Sequence, residues 1–373
     1  MVDFIIIGGG IIGNFIASKL SLYQAKTILV EKEHDVSLVQ TTHNSALVHS
    51  PLLILEEKGP LKSRLAKEGN QIYHELVKKI KIAHFENGAL VLAFDENEHK
   101  ALIRYHQKAS DLGFEATKIF DKEALRTLEP SISKKVYSAL RLPSAMTADT
   151  YQISRLLMNH AQANGVNYHF NQTVDTIEET ENGFEVTTKE GATYESKVII
   201  NAAGIYAEKI AALYEENVPY KTLPHRGDYY VIKPKKPLVK HTLFPLPNEE
   251  TKGILVIPQP DGSIRLGPTS ELQSSFESDQ VDLNAIDLIK EEVSRYLENI
   301  PFEDYEKMYV GVRSTIDYGD FYIKPSLKNP HFIHVAGIDS PGVTAAPAIA
   351  NYLVDILLSE LDLVLNPSSK SLI

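Results

Sequence analysis

The stretch Asp3-Phe4-Ile5-Ile6-Ile7-Gly8-Gly9-Gly10-Ile11-Ile12-Gly13 opens an amphipathic run that continues to about Leu22. A second apolar run, Thr27-Ile28-Leu29-Val30, ends at Glu31. The order is strand, glycine turn, helix, strand, acid, and this context turns a weak glycine pattern into a strong one. Gly8 permits the tight turn, Gly10 lets backbone approach a pyrophosphate, and Gly13 lets the helix pack closely on the strand. The helix N-terminus, from Ile11 and Ile12 onward, offers amides without intrahelical acceptors and a positive dipole end to phosphates. Glu31 lies 23 positions after Gly8, close to the ~20-residue spacing of an acid that accepts from ribose hydroxyls. The motif predicts a dinucleotide site without separating NAD from FAD.

Further along, Leu61 to Ile82 predicts a long helix, with Leu65, Ile72, Leu76 and Ile80 at near-helical spacing. Gly88 to Ala93 is a strand, Glu98 to Leu112 a helix and Tyr151 to Asn164 another. Tyr168 to Thr176 is expected as one strand, Phe184–Thr188 and Thr193–Glu195 as hairpin arms, and Val198 to Gly204 as a buried strand running into glycine. Residues 221–275 are strand-rich and predict an antiparallel sheet, with Pro260-Asp261-Gly262 as a hairpin turn. The chain returns to strand–turn–helix at His331–Gly337, a loop at 338–342 and an apolar helix to about Leu358. The expected fold class is α/β with an α+β substrate lobe. A Rossmann-type domain from residues 1–80, 145–215 and 325–373 is interleaved with an antiparallel-sheet domain from 81–144 and 216–324.

At 373 residues the chain exceeds the size at which single hydrophobic cores stop growing, which suits two lobes. A net charge of -11 argues against nucleic-acid binding, and any anionic substrate needs locally placed cations. The absence of cysteine excludes disulfides, thiolate catalysis, thiolate-bound zinc, Fe–S clusters and cysteinyl flavin. Electrons would therefore travel on an organic cofactor, and no metal is expected. The N-terminus lacks the basic region of a signal peptide, and no stretch approaches the ~20 apolar residues of a membrane span. A cytoplasmic protein with no integral membrane segment is expected.

The N-terminal motif, the Val198–Gly204 strand and the Gly337–Ile349 segment, in this order, resemble the glycine oxidase and D-amino-acid oxidase superfamily of flavoproteins over nearly the whole chain. Residues Gln40-Thr41-Thr42-His43-Asn44-Ser45-Ala46-Leu47-Val48-His49-Ser50 are similar to the flavin-proximal loop of L-2-hydroxyglutarate dehydrogenases and short soluble glycerol-3-phosphate oxidases. His225–Tyr229 and Asp261–Pro268 are similar to segments that both share, and Ser340–Ile349 is closer to the second. The loop departs from its relatives at Ala46 and Pro51, where glycine is usual. The added methyl and the fixed φ are expected to narrow the pocket.

The resemblance implies non-covalent FAD, with Gly8, Gly10, Ile11, Ile12, Gly13, Glu31 and Lys32 at the ADP half and Val174 near the adenine. It places Thr42, His43, Asn44 and Ser45 beside the isoalloxazine, with Ala203 and Gly204 also at the cofactor. Gly337, Pro341, Gly342, Val343 and Thr344 form a turn whose helix N-terminus would stabilise charge on the reduced flavin. His49 is the candidate base, because such a base must titrate near neutral pH, and His43 is the alternative. Arg313 matches an arginine that grips the substrate anion bidentately. Lys252 and Arg226 are candidate second cations, and Ser340 a hydrogen-bond partner. The implied reaction is oxidation of a small anionic hydroxy substrate, glycerol 3-phosphate, to dihydroxyacetone phosphate. Molecular oxygen is the expected acceptor and hydrogen peroxide the product, since the chain has neither Fe–S ligands nor a membrane span. L-2-hydroxyglutarate oxidation and a flavin-binding protein without turnover are the alternatives.

Overall fold

A computed structural model describes all residues except 54–58, 112–116, 247–252, 278–279, 362 and 373. Strand β1 (Val2–Ile7) lies in the parallel centre of an eight-stranded sheet that also carries outer antiparallel pairs. On one side it pairs with β2 (Thr27–Val30), which in turn carries Asn167–His169. On the other it pairs with Thr193–Asn201, which carries Phe332–Ala336. Phe4 and Ile6 join a core with α1 (Ile11–Leu20), α2 (Pro60–Lys79), the helix Thr150–Ala163 and the C-terminal helix Gly342–Leu361. Ile5 and Ile7 enter a second core with Phe184, Tyr214 and Phe332. Burial of both faces explains why this strand has no polar alternate. The chain builds outward from β1 through β2, then returns to build the opposite side. The C-terminal end of β1 is thus a topological switch point, where open α/β sheets bind ligands.

The second sheet draws its strands from 89–142 and 222–316, so the chain alternates between the two sheets. Its longest pair is Thr222–Ile232 against Tyr305–Ile316, in register from Thr222↔Ile316 to Val231↔Lys307, with a one-residue shift before Ile232↔Tyr305. The helix Leu283–Tyr296 packs Ile286, Ile289, Val293 and Tyr296 onto this sheet beside Tyr230 and Leu266. The sheet is mixed rather than purely antiparallel, because Thr242–Pro245 runs parallel to Ala89–Ala93. Such a pair needs a long crossover, and the intervening chain supplies one by passing through the first sheet. A small third sheet pairs Leu47–Val48 with Met146–Ala148, and that strand with His84–Phe85.

The single strand expected over Tyr168–Thr176 is in fact two, Asn167–His169 and Val174–Thr180. Between them Asn171 adopts φ 53°. The amides of Asn171 and Gln172 donate to the carbonyls of Glu33 and Glu31, so the chain turns around the end of β2. The helix expected from Glu98 begins at Glu96, and Leu112 lies outside the described residues.

Candidate active site

Gly8 adopts φ +109°, and a Cβ there would stand 2.6 Å from the Ala202 carbonyl oxygen. A Cβ at Gly13 would stand 2.0 Å from the Gly8 carbonyl oxygen, so α1 seats on the turn only through glycine. At Gly10 a Cβ would meet nothing nearer than Thr41 Oγ1 at 3.5 Å and would occupy open space beside the helix N-terminus. Ile11 N–H donates to Thr41 Oγ1 at 3.0 Å. Glu31 is buried at the end of β2, and burial raises its carboxyl pKa. The amides of Gly9 and Glu33 oppose that shift by donating to its two oxygens at 2.5 and 2.9 Å. Lys32 pairs with Glu33 at 3.0 Å and lies 4.6 Å over the Tyr206 ring.

A cavity of about 1590 Å³ opens from this turn, larger than the ~300–1,000 Å³ of a single small-ligand pocket. One end is lined by Gly8, Gly10, Ile11, Ile12, Glu31 and Lys32, with Val174, Ala203 and Gly204 beside them. The walls continue through His43, Asn44, Ser45 and His49 to Arg313 and Ser340, with Gly337, Pro341, Gly342 and Val343 on the same cavity. Gly13, Thr42 and Thr344 are not on the wall. Gly13 packs beneath the turn, and half-buried Thr42 sets its hydroxyl 3.1 Å from His43 Nδ1. Thr344 is fully buried, where its Oγ1 accepts from the His49 amide at 2.9 Å. Lys252 lies outside the described residues. Arg226 does not face the cavity: it grips buried Asp228 with Nε at 2.9 Å and Nη2 at 2.6 Å, so it is no second substrate cation.

The loop at 40–45 is pinned between the two sheets. Gln40 Nε2 donates to the Val312 carbonyl at 2.8 Å, and Ile205 N–H donates to Gln40 Oε1 at 2.8 Å. The Asn44 carbonyl accepts from Arg265 Nη1 at 2.6 Å and from the Tyr309 hydroxyl at 2.8 Å. Tyr309 is itself stacked on Tyr229 with ring centroids 4.6 Å apart. A Cβ at Gly311 would stand 1.9 Å from the His43 carbonyl oxygen. The strand Leu47–Val48 then delivers His49. Asn70 Nδ2 donates to the His49 carbonyl at 3.0 Å, and the His49 ring nitrogen Nε2 lies 3.5 Å from Ser340 Oγ.

Arg313 donates from Nη2 to the Thr269 carbonyl at 2.9 Å and from Nη1 to Ser270 Oγ at 3.2 Å. A guanidinium has five N–H groups, so donors are left for a ligand. Asp339, next to Ser340, pairs with Lys62 of α2 at 2.6 Å and accepts from Thr315 Oγ1 at 3.1 Å. Ala46 takes a left-handed φ of 55° and is buried away from the cavity, and Pro51 begins a short turn of helix at Pro51–Leu53. Neither lines the cavity, so neither side chain takes space from it directly. The residues missed by sequence reasoning are Tyr309 and Lys62, while Gln40, Gly311, Asp339, Arg265 and His225 stand only inside longer segments without a role of their own.

The residues present fit FAD: a glycine cradle that a Cβ would fill, a helix N-terminus, a buried acid and room for two ring systems. The family described as DAO, FAD dependent oxidoreductase, matches residues 3–356. The chain is 34% identical over 358 residues to a glycerol 3-phosphate dehydrogenase of Caloramator mitchellensis, covering 96% of this chain and 74% of that relative. It is 28% identical over 365 residues to a glycerol 3-phosphate oxidase of Mycoplasma genitalium, covering 95% and 94%. The FAD-bound, dithionite-reduced L-alpha-glycerophosphate oxidase of Mycoplasma pneumoniae has a TM-score of 0.91 to this structure at 27% identity, covering 99% of this chain and 97% of that one. With the glycine turn, the acid that ends β2 and the cavity between the sheets all inside the matched span, the chain belongs to the DAO family of FAD-dependent oxidoreductases.

Proposed function

We propose that the protein oxidises glycerol 3-phosphate to dihydroxyacetone phosphate, with molecular oxygen as acceptor and hydrogen peroxide as second product. The observation that carries this reading is the meeting of His49 and Ser340, 3.5 Å apart, on the wall of the cavity that also holds Arg313. A base and an anion anchor share one chamber, and the glycerol 3-phosphate dehydrogenase and oxidase named above match 96% and 95% of this chain. Arg313 grips the phosphate through its unpinned N–H groups. His49 accepts the C2 hydroxyl proton, while Ser340 holds that hydroxyl oxygen within reach. Thr344 and Asn70 hold the His49 backbone from both sides. FAD, when bound, would supply the acceptor for the hydride that leaves C2.

The same proposal seats the ADP half on the glycine turn and Glu31, and the isoalloxazine beside His43, Asn44, Ser45 and the 337–343 turn. It assigns the first sheet to the cofactor and the second to the substrate, and keeps Lys252 as a second cation. Among the described residues no helix is long and apolar enough to cross a membrane, and a cytoplasmic enzyme is part of the proposal.

Anaerobic mixing of the FAD-loaded protein with glycerol 3-phosphate, L-2-hydroxyglutarate or small amino acids tests it. Glycerol 3-phosphate alone should bleach the flavin absorbance rapidly. Bleaching by L-2-hydroxyglutarate instead would transfer the assignment to a carboxylate substrate, and no bleaching would leave a binding protein. In air, peroxide should form nearly one for one with substrate consumed. Slow reoxidation in air with fast turnover on a dye would reject oxygen.

A further inference from the structure

We propose that His225 is a second anion-binding residue beside Arg313, and that it takes up a proton from solvent when the dianionic phosphate of the substrate binds. The inference rests on the glycerol 3-phosphate assignment above. His225 and Arg313 stand directly opposite each other in the ladder between Thr222–Ile232 and Tyr305–Ile316. Directly opposed residues put their side chains on the same face of a sheet, and both of these line the cavity. Gly227, two residues beyond His225, leaves the space that the guanidinium occupies: a Cβ there would stand 2.9 Å from Arg313 Nη2. Arg313 is therefore laid across the strand that carries His225, and a ligand on its free donors meets the imidazole.

The charged groups around His225 are few. Arg313 faces it from the neighbouring strand, and Asp339 faces it from the loop before the C-terminal helix. Asp339 is already held by Lys62 and Thr315. On the other edge the strand Glu271–Leu272 puts Leu272 opposite His225 and Glu271 opposite Arg226. Among the described residues no hydrogen bond to the His225 ring is present. Burial first, then the Arg313 charge, lower its pKa below the ordinary histidine value, with Asp339 opposing weakly. In the free protein the ring is thus neutral at pH 7 and above.

A phosphate dianion seated on Arg313 reverses that balance, because an opposite charge within ~4–6 Å favours the charged form of a titrating group. The proton comes from water or buffer, goes to a ring nitrogen, and then forms a charge-assisted hydrogen bond to a phosphate oxygen. A monoanionic carboxylate exerts about half the pull. Arg313 grips carboxylate and phosphate alike, so His225 is the residue that would discriminate between them.

Calorimetric titration of the FAD-loaded protein at pH 8 tests the inference. Inorganic phosphate and sulfate serve as probes, each measured in two buffers of different ionisation enthalpy. Sulfate does not protonate in this range, so uptake with sulfate is the protein's own. The wild type should take up a large fraction of one proton, and His225→Gln and His225→Asn, still flavin-loaded by absorbance, should take up almost none. Their phosphate affinity should fall roughly tenfold, the loss of one charge-assisted hydrogen bond. Phosphate binding to the wild type without proton uptake, or equal uptake in the variants, overturns the inference while leaving glycerol 3-phosphate bleaching intact. Failure to bind phosphate in a protein reduced by L-2-hydroxyglutarate overturns the substrate assignment and this inference with it.

Discussion

Arg313 donates to the Thr269 carbonyl at 2.9 Å, so the plane of its guanidinium is set by the protein before any ligand arrives. A lysine could reach the same region, but its ammonium cannot hold that carbonyl and also present a fork to an anion. Arg313→Lys should therefore raise KM roughly tenfold to a hundredfold, equivalent to about 1.5–3 kcal/mol. The flavin-to-protein ratio should stay at the wild-type value. Steady-state kinetics beside the absorbance spectrum decide it, and an unaltered KM would remove Arg313 from the substrate site.

His49 is fixed through its backbone by Thr344 and Asn70. His49→Asn keeps those two contacts and removes the proton acceptor. The rate of flavin reduction on rapid mixing should fall by ~10²–10⁴, the usual contribution of a general base. Substrate affinity, read from the concentration dependence of the same traces, should change far less. A wild-type reduction rate would make His49 structural and turn attention to His43.

Much of this arrangement was legible because it is local. The turn from Gly8 to Gly13 and the acid at Glu31 lie within one strand–helix–strand unit, and the structure closes that unit through the Gly9–Glu31 hydrogen bond. What escaped depends on contacts distant in sequence. Asn171 splits a strand because its amide finds Glu33 across the end of β2. Arg226 looks like a substrate cation in the motif His225–Tyr229, yet buried Asp228, two residues on, claims it. Thr344 lies in the turn segment but turns inward to hold His49. The helix Leu283–Tyr296 carries a local signal of its own in the spacing of Ile286, Ile289, Val293 and Tyr296, with Asp282 as its N-cap.

Ala46 holds φ 55°, in the left-handed region that glycine enters without a Cβ penalty. The left-handed region costs a residue with a Cβ about 1–2 kcal/mol, while glycine adds about 0.4–1 kcal/mol of unfolded-chain entropy. Ala46→Gly should accordingly stabilise the protein by about 0.5–1 kcal/mol, seen as a higher urea midpoint at unchanged slope. A lower midpoint would show that the buried methyl contributes more in packing than its backbone costs.

Gly311 is the point where the second sheet touches the loop at 40–45, with room for no side-chain atom against the His43 carbonyl. Gly311→Ala must push that loop away, a distortion of the kind that costs about 1–3 kcal/mol. The variant should be purified with less flavin than wild type and regain its yellow colour in excess FAD. Tyr309→Phe, which deletes one donor to the Asn44 carbonyl, should show the same defect more mildly. Full flavin occupancy in Gly311→Ala would mean that the loop does not contact the cofactor.

His334 is fully buried in the strand Phe332–Ala336, directly before the Gly337 turn of the cavity. Its Nδ1 lies 3.2 Å from the Tyr220 hydroxyl and its Nε2 3.0 Å from Glu215 Oε1. Burial lowers its pKa to about 4, against about 6.5 in the unfolded chain. Between those two values the unfolded chain holds more protons than the native one, so stability rises with pH across the window. The contribution is fully present above pH ~6.5 and is lost as pH falls through the folded value. It amounts to a few kcal/mol at most by the ~1.4 kcal/mol per unit of linkage, less whatever Glu215 returns to a charged ring. Urea unfolding of the FAD-loaded protein between pH 7.5 and 4.5 should show this decline, with flavin released as the strand and its turn give way. His334→Gln, which does not titrate, should be less stable at pH 7.5 but show a flatter slope below pH 6.5. An unchanged slope in that variant would assign the acid sensitivity to other groups.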